Sequence, residues 1–366
     1  MICEYEKIAQ KIVHICAQIQ EDHTIYIRGR QDCAQFCEQI ALACRKRGAY
    51  PLIEIHSDAF MLQELHELPP EHITALPDHT RSLIEESDFI IYAGMQPEDP
   101  LPFRLLPYER IQAERLYRKA ITDIILSHSD KRWIGIAYPT PAQTALYTMD
   151  FSVYHDMVWK AIDIDYHVLA ERIEIVASYL RGASDIHIQN KKGTDITLNI
   201  KGRPILKEDG IITREDLHHG EKICNLPTGE VYVAPNESKS EGKAVFDFTF
   251  RHGKCCGVLP VNVSSGTVTP VGNTAESRYC RDILSHSTGD GSVIGELGFG
   301  LNPCIIHMVG HQLTDEKFPG SIHLALGENR HYGGQNQSDI HWDLIISSPT
   351  VSVDGSMLLD QGTYCM

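Results

Sequence analysis

Apolar strand-like runs alternate with longer helical stretches before residue 140, and this alternation constrains the fold more than any other feature. The strand-like runs are 24–29, 51–55, 88–94 and 132–137, and the helical stretches include 4–20, 31–47 and 108–127. Strands that alternate with helices form a parallel sheet that is covered on both faces. The N-terminal half is therefore predicted to be a doubly wound, mostly parallel α/β domain.

The pattern changes at Gly182-Ala183-Ser184, after a largely helical stretch at 150–181. The runs 185–190 and 194–200 alternate apolar with polar residues and are joined by Lys191-Lys192-Gly193, which predicts a β-hairpin. Further strand-like runs, interrupted by a helical stretch at 274–285, are 231–234, 244–250, 258–263, 294–298, 322–327 and 340–346. We predict an N-terminal α/β scaffold domain over 1–182 and a C-terminal α+β domain, rich in antiparallel strands, over 183–366.

Several functions are disfavoured by composition and motifs. Gly29 is followed by Arg30-Gln31-Asp32, and no glycine-rich dinucleotide loop or Walker loop follows any predicted strand. The net charge of −16 disfavours nucleic acid or an anionic membrane as a partner, because both are bound through excess Lys and Arg. The apolar runs are too short to span a bilayer, and the N-terminus lacks the pattern of a signal peptide, so we expect a cytoplasmic protein.

Cysteine usage agrees with that compartment. The eleven cysteines are odd in number, irregularly spaced and without a CxxC motif, which indicates reduced thiols rather than a disulfide framework. The neighbouring pair Cys255-Cys256 is interpreted as ordinary buried thiols.

Metal-binding residue types concentrate in the C-terminal half. His341 and Asp343 are two residues apart in an apolar strand, so their side chains project from the same face. His323 lies on another strand, on a face that otherwise carries only Ala325 and Gly327. Two carboxylates beside glycine complete the set, Glu296 and Glu230.

The charge of this set indicates how many ions it prefers. Three carboxylates and two neutral imidazoles leave an excess of negative charge around one divalent ion, whereas two ions leave about one positive charge. A bridging hydroxide would neutralise that charge, and hydroxide is the nucleophile of a hydrolase. We therefore expect two divalent ions, with Zn, Mn or Co favoured by the mixed ligands and a structural zinc site disfavoured by the absence of Cys.

The motifs around these residues resemble the aminopeptidase T and PepS family of metallo-aminopeptidases. The resemblance is carried by GEVYVAP, GELGFGLNP, SIHLALG and GGxNxSxxHxD, all in the C-terminal half. It implies removal of N-terminal residues from peptides, and a homodimer with enclosed active sites. We expect the substrate to be a short peptide or an amino-acid-derived small molecule. The resemblance also implies a two-metal centre with one bridging carboxylate and the ligands Glu230, Glu296, His323, His341 and Asp343.

The catalytic residues depart from the family pattern. A family tyrosine follows the first histidine by seven residues, and Arg330 takes that place here. Tyr332 or His331 is a candidate substitute for that tyrosine, and Glu328 is a candidate proton acceptor. The expected catalytic residues are Glu328 and Tyr332, together with the metal-ligand candidate Glu230. Arg330 and Lys317 are candidates for binding a substrate carboxylate.

A related branch of the superfamily supplies the alternative. Its members resemble this family in fold, bind a single iron and open dihydroxypyridine rings. A mononuclear Fe(II) dioxygenase therefore remains the second hypothesis, because fold alone does not determine chemistry.

Overall fold

The computed structural model describes residues 2–147, 149–219, 221–247, 250–251, 254–255 and 257–366. In chain order, the strands of these residues are β1 (Thr24–Arg30), β2 (Tyr50–His56), β3 (Phe89–Ala93), β4 (Arg132–Ile136), β5 (Asp185–Gln189), β6 (Asp195–Asn199), β7 (Leu206–Glu208), β8 (Ile223–Leu226), β9 (Glu230–Val233), β10 (Glu241–Phe246), β11 (Phe250–Arg251), β12 (Lys254–Cys255), β13 (Leu259–Ser264), β14 (Thr267–Pro270), β15 (Ile294–Gly300), β16 (Ile322–Gly327), β17 (His341–Ile346), β18 (Thr350–Val353), β19 (Ser356–Asp360) and β20 (Thr363–Tyr364).

The α-helices are α1 (Ile2–Lys11), α2 (Ala34–Lys46), α3 (Asp58–Glu67), α4 (Pro70–Thr74), α5 (Asp78–Glu85), α6 (Leu101–Arg104), α7 (Tyr108–Ser127), α8 (Phe151–Ile162), α9 (Tyr166–Leu180), α10 (Arg214–His219), α11 (Ala275–His286) and α12 (Gln312–Asp315). The helix predicted over 4–20 ends earlier: α1 passes into a π-helical turn, Ile12–Cys16. Gln18 then has a φ of 47°, a left-handed conformation that does not continue a helix.

The described chain forms two compact units. The first comprises Met1–Tyr166 and Gly210–Pro227, and the second comprises His167–Asp209 and Thr228–Met366. The units are interleaved in sequence, since the segment that carries β8 returns to the first unit. The expected division into domains 1–182 and 183–366 stays a prediction.

The first unit is built on a parallel sheet with the strand order β2-β1-β3-β4-β8. Three successive residues of β1, Ile25, Tyr26 and Ile27, are almost fully buried, so both faces of the sheet are covered. On one face, side chains of β1, β3, α5 and α7 form a hydrophobic cluster of Tyr26, Ile84, Ile90, Ile121, Ile124 and Ile125. The predicted α/β class of the N-terminal half is confirmed.

The second unit contains two larger antiparallel sheets. The first has eight strands in the order β14-β13-β10-β6-β5-β18-β19-β20. The second has five strands in the order β17-β16-β15-β9-β7, and every neighbouring pair in it is antiparallel. The predicted α+β character of the C-terminal half, with its antiparallel strands, is confirmed, and the five-stranded sheet carries the candidate site.

Register divides the five-stranded sheet into two chemically different faces. Residues paired across neighbouring strands share a face, and successive residues alternate between faces. The mainly apolar face carries Val231, Val233, Ile294, Leu297, Phe299, Ile322, Leu324, Leu326, Trp342, Leu344 and Ile346, with Lys207 on the edge strand β7. The opposite, polar face carries mostly small and polar residues, Glu208, Glu230, Tyr232, Glu296, Gly298, Gly300, His323, Ala325, Gly327, His341 and Asp343, together with Leu206 and Ile345.

Two further expectations concern membranes and thiols. None of the helices among the described residues has the length and apolar character that a membrane span requires. Eight of the described cysteines form no disulfide: Cys16, Cys33, Cys37, Cys44, Cys224, Cys280, Cys304 and Cys365. Of the Cys255-Cys256 pair, Cys256 lies outside the described residues.

Candidate metal centre

The strands bring all five predicted ligands to the polar face of the five-stranded sheet. Among the described residues, one group has the geometry of a metal site: Glu296, His341 and Asp343 each offer an atom within 4.8 Å of the others. His323 Nε2 lies 3.0 Å from Glu296 Oε1, 4.0 Å from Asp343 Oδ1 and 3.7 Å from Glu230 Oε2. Carboxylate oxygens from three strands thus converge on two imidazoles.

A β-bulge aims the central carboxylate. The pairing of β15 with β16 shifts between Ile294 and Glu296, which leaves Gly295 as the extra residue. A Cβ at Gly295 would lie 2.6 Å from the carbonyl oxygen of Gly327, so only glycine fits there. After the bulge Glu296 faces both histidines: its Oε1 lies 3.0 Å from His323 Nε2 and its Oε2 lies 3.3 Å from His341 Nε2.

His323 is held in a slot on the same face. Only 1% of it is exposed, and it pairs with Gly298 on β15. A Cβ at Gly298 would lie 2.0 Å from His323 Cε1 and 2.2 Å from its Nε2. The imidazole therefore occupies space that any other residue at position 298 would fill.

Backbone and side-chain contacts orient the other ligands. His341 Nδ1 lies 2.9 Å from the carbonyl oxygen of Glu328 and must donate to it, because a carbonyl only accepts. That bond presents His341 Nε2 to the site, the arrangement typical of metal-binding histidines. Asp343 Oδ1 lies 3.3 Å from the same Nε2, while Asp343 Oδ2 accepts a hydrogen bond from Gln312.

Protonation follows from burial opposed by neighbouring charges. Burial lowers the pKa of His323, but Glu296, Glu230 and Asp343 outweigh it and raise the pKa to about 9. In the same way, burial lowers the pKa of His341, and the surrounding acidic groups raise it well above its usual value. Burial raises the pKa of Glu296, yet the two histidines lower it overall. Without a metal, the site therefore attracts protons to the imidazoles, as expected where negative charge exceeds positive charge.

Glu230 lies at the edge of this cluster and has a second partner. Its Oε1 lies 2.5 Å from the ammonium of Lys317, while its Oε2 is buried without a hydrogen-bond partner and faces His323. Burial raises the pKa of Glu230 even though Lys317 and His323 oppose the shift. Lys317 also contacts Glu208 and Glu316.

The donor set fits divalent cations. His323 and the three carboxylates are buried, and His341 lies at the exposed side of the site. The buried Glu230 Oε2 accepts no hydrogen bond, and a cation would compensate its charge. Mixed nitrogen and oxygen donors suit Zn, Mn or Co.

Two of the predicted catalytic residues lie beside this set. Tyr332 packs its ring against His341, with centroids 5.4 Å apart, and against Tyr232. Burial and the carboxylates raise the pKa of Tyr332, so its hydroxyl stays protonated at neutral pH. The Glu328 carboxylate accepts hydrogen bonds from Arg330 and from the Ser338 N–H, and these lower its pKa although burial raises it.

Arg330 occupies the position of the family tyrosine and forms a salt bridge with Glu328, with 2.7 Å between Arg330 Nε and Glu328 Oε1. Lys317 is engaged with carboxylates of the chain itself, so its expected role at a substrate carboxylate stays a prediction. The proton-acceptor role of Glu328 stays a prediction too.

Sequence reasoning missed three side chains that contact the ligands or their partners. Gln312 binds Asp343 from a short helix, and Glu208 and Glu316 bind Lys317 from segments that had no strand or motif signal. Their spacing carries no periodic pattern, so only the fold brings them to the site.

Comparisons with known proteins define the family. The model of the thermophilic metalloprotease (M29) family matches residues 3–364. The chain belongs to this family, and it is therefore an enzyme of the metallopeptidase class.

Individual relatives fall into two groups. Aminopeptidase T of Thermus aquaticus is 23% identical over 98% of this chain and 95% of its own length. Aminopeptidase PepS of Streptococcus thermophilus is 21% identical over 96% of this chain and 93% of its own. The 2,5-dihydroxypyridine 5,6-dioxygenase of Pseudomonas putida is 23% identical over 52% of this chain and 57% of its own length.

Solved structures show the same fold in both groups. Wild-type AmpT from Thermus thermophilus has a TM-score of 0.77 at 17% identity, covering 100% of this chain and 99% of that one. The dihydroxypyridine dioxygenase of P. putida has a TM-score of 0.69 at 14% identity, covering 100% and 97%.

Proposed function

We propose that this chain is a two-metal aminopeptidase that cleaves the N-terminal amide bond of short peptides or amino-acid conjugates. The observation that carries the proposal is the placement of Glu296. Its two carboxylate oxygens face different imidazoles, Oε1 facing His323 and Oε2 facing His341. A carboxylate placed in this way suits a bridge between two cations.

The charge of the buried cluster supports two ions. Its carboxylates are Glu208, Glu230, Glu296, Glu316 and Asp343, and its ammonium is that of Lys317. With neutral imidazoles, five negative charges and one positive charge leave four, which two divalent ions neutralise. Burial, opposed by Lys317, raises the pKa of Glu316 to about 7. Glu316 can therefore gain or lose a proton near neutral pH and change the net charge of the cluster by one.

The residues divide the ligand roles between two positions. Glu296, His341 and Asp343 would hold one ion, and Glu296, His323 and Glu230 Oε2 would hold the other. When bound, the metal ions supply polarisation of the scissile carbonyl and a water that ionises near neutral pH.

Tyr332 and the backbone of Glu328 support the remaining chemistry. The Tyr332 hydroxyl, protonated and next to His341, is suited to donate a hydrogen bond to an oxyanion that develops at the scissile carbonyl. Glu328 contributes through its backbone carbonyl, which fixes the tautomer of His341.

A mononuclear iron dioxygenase is the second candidate, and one observation favours it. Glu296 lies between the two histidines, with 3.0 Å from its Oε1 to His323 Nε2 and 3.3 Å from its Oε2 to His341 Nε2. Two histidines and one carboxylate around a single ion are the ligand set of non-haem Fe(II) oxygenases, and they leave open positions for substrate and oxygen.

Activity measurements separate the candidates. The proposal predicts that the purified protein with Mn²⁺, Co²⁺ or Zn²⁺ releases N-terminal residues from short peptides, and that Glu230→Ala abolishes the release. Glu171→Ala is the matched control, because Glu171 is an exposed carboxylate on α9 of the same unit. Full activity of Glu230→Ala would refute its ligand role, and oxygen uptake with 2,5-dihydroxypyridine in the presence of one Fe(II) would support the dioxygenase.

Resemblance to the family also leads us to propose a homodimer that works in the cytoplasm. Analytical ultracentrifugation of the purified chain tests the dimer. A monomer at micromolar concentration would refute it.

A further inference from the structure

Lys317 is an ammonium buried among carboxylates, which makes it unusual for a lysine. Only 1% of the residue is exposed, and lysine is rarely buried to this degree unless paired. Its Nζ lies 2.5 Å from Glu208 Oε2, 2.5 Å from Glu230 Oε1 and 3.1 Å from Glu316 Oε1. Three carboxylate oxygens therefore surround one cation.

The local chain is built to deliver this ammonium. Gly300 pairs with Glu230, and a Cβ at Gly300 would lie 2.2 Å from the carbonyl oxygen of Phe318 and 2.7 Å from that of Glu316. The missing side chain lets the segment 316–318 lie directly on the end of β15. The Asn302 N–H donates to the carbonyl oxygen of Lys317 at 3.0 Å and holds the segment there.

The contact with Glu230 connects Lys317 to the metal centre. Glu230 Oε1 is bound by the ammonium, while the buried Oε2 has no hydrogen-bond partner and faces His323. Lys317 thus leaves Glu230 a single oxygen for a metal ion.

We propose that the Lys317 ammonium takes a third cation position of this centre, bounded by Glu208, Glu230 and Glu316, and thereby keeps a further divalent ion out of it. This inference rests on the proposed two-metal function. In that function, Lys317 limits the centre to the two ions beside Glu296. Lys317 acts through Glu230 and is a positioning residue.

The three carboxylates around Lys317 have the chemistry of a cation-binding site. An all-oxygen set of three carboxylates is the donor type that Mg²⁺, Ca²⁺ and Mn²⁺ prefer. An ammonium neutralises one of the three negative charges. Removing it leaves a buried acidic pocket that a divalent ion neutralises better than solvent does.

The test counts Mn²⁺ ions in the purified 366-residue chain by equilibrium dialysis with elemental analysis. We expect Lys317→Ala, which removes both the charge and the bulk, to bind about one ion more per chain than the wild type. We also expect its Tm to rise more with added Mn²⁺ than that of the wild type, because the ion binds only the folded state. Lys317→Arg keeps a cation in place and should retain the wild-type count.

Lys207→Ala is the matched control. Lys207 pairs with Glu174 at the surface of the same unit, with Nζ 3.4 Å from Oε2, and its removal should leave the Mn²⁺ count unchanged. The same count in Lys317→Ala as in the wild type would overturn the proposal, and so would an additional ion in Lys317→Arg.

A second variant covers the case in which Lys317→Ala does not fold. Combining it with Glu316→Gln removes one of the three uncompensated charges while Glu208 and Glu230 remain as ligands. This double variant should still bind one ion more than the wild type, with lower affinity, and no additional ion would overturn the proposal. The ion count of the wild type tests the two-metal function, and fewer than two ions would refute that function alone. The difference in ion count between variant and wild type tests the proposal for Lys317.

Discussion

The contact between Gly298 and His323 makes a sharp prediction about the substitution Gly298→Ala. The new Cβ would lie 2.0 Å from His323 Cε1, whereas ordinary contacts begin near 3.4 Å. The imidazole would have to retreat by about 1.4 Å in a closely packed interior. The 3.0 Å contact between His323 Nε2 and Glu296 Oε1 would then be lost.

The magnitude follows from that displacement. A misplacement of about 1 Å in an active site costs on the order of 100-fold in rate. We therefore expect kcat/KM for peptide hydrolysis to fall at least about 100-fold, or roughly 2.7 kcal/mol in transition-state stabilisation. Overpacking should also cost about 1–3 kcal/mol of stability.

The assay combines kinetics with a Mn²⁺ count and a thermal denaturation curve. Gly202→Ala controls for destabilisation alone, because Gly202 has a φ of 78° and open space around its Cβ position. In a His323→Ala background, Gly298→Ala should cost little further activity, since the two changes act on the same imidazole. A Gly298→Ala enzyme with wild-type kcat/KM and a full metal count would refute the reasoning.

Three further predictions concern neighbouring side chains. Gln312→Leu removes the hydrogen bond to Asp343, so the Mn²⁺ affinity measured by titration calorimetry should fall about 10- to 100-fold, and an unchanged affinity would count against this role. Tyr332→Phe should lower kcat about 100-fold or more while the metal count stays the same, and an unchanged kcat would exclude the hydroxyl from catalysis. In metal-free protein, the carboxylates outweigh burial and raise the pKa of His323 to about 9. The protonated imidazole therefore adds about 3 kcal/mol of stability that is fully present below pH ~6.5 and is lost as the pH rises through about 9. The Tm of metal-free wild type should accordingly drop over that range, and the drop should be smaller in His323→Gln.

The sequence predicted the parts of the fold that have strong periodicity. The strands β1 to β4 and helix α7 follow from runs of apolar residues with a clear period, and α7 has the predicted bounds, Tyr108–Ser127. Strand β8, only four residues long, escaped prediction because its place in the parallel sheet depends on the chain returning from the second unit. No local pattern encodes such a return.

The candidate site shows the same division. His341 and Asp343 could be paired from their spacing, because a strand places alternate residues on one face. The contact between Glu296 and the two histidines depends on the bulge at Gly295, a register shift that the sequence indicates only as a glycine. The ion pairs of Lys317 could not be predicted from the sequence, because its partners Glu208 and Glu230 come from distant segments.

The most direct test of the account is a crystal structure of the Mn²⁺-loaded protein with anomalous diffraction. We predict two anomalous peaks about 3.5–4 Å apart, one beside His323 and the other beside His341, both within bonding distance of Glu296. A single peak confined to Glu296, His341 and Asp343 at saturating Mn²⁺ would contradict the two-metal centre.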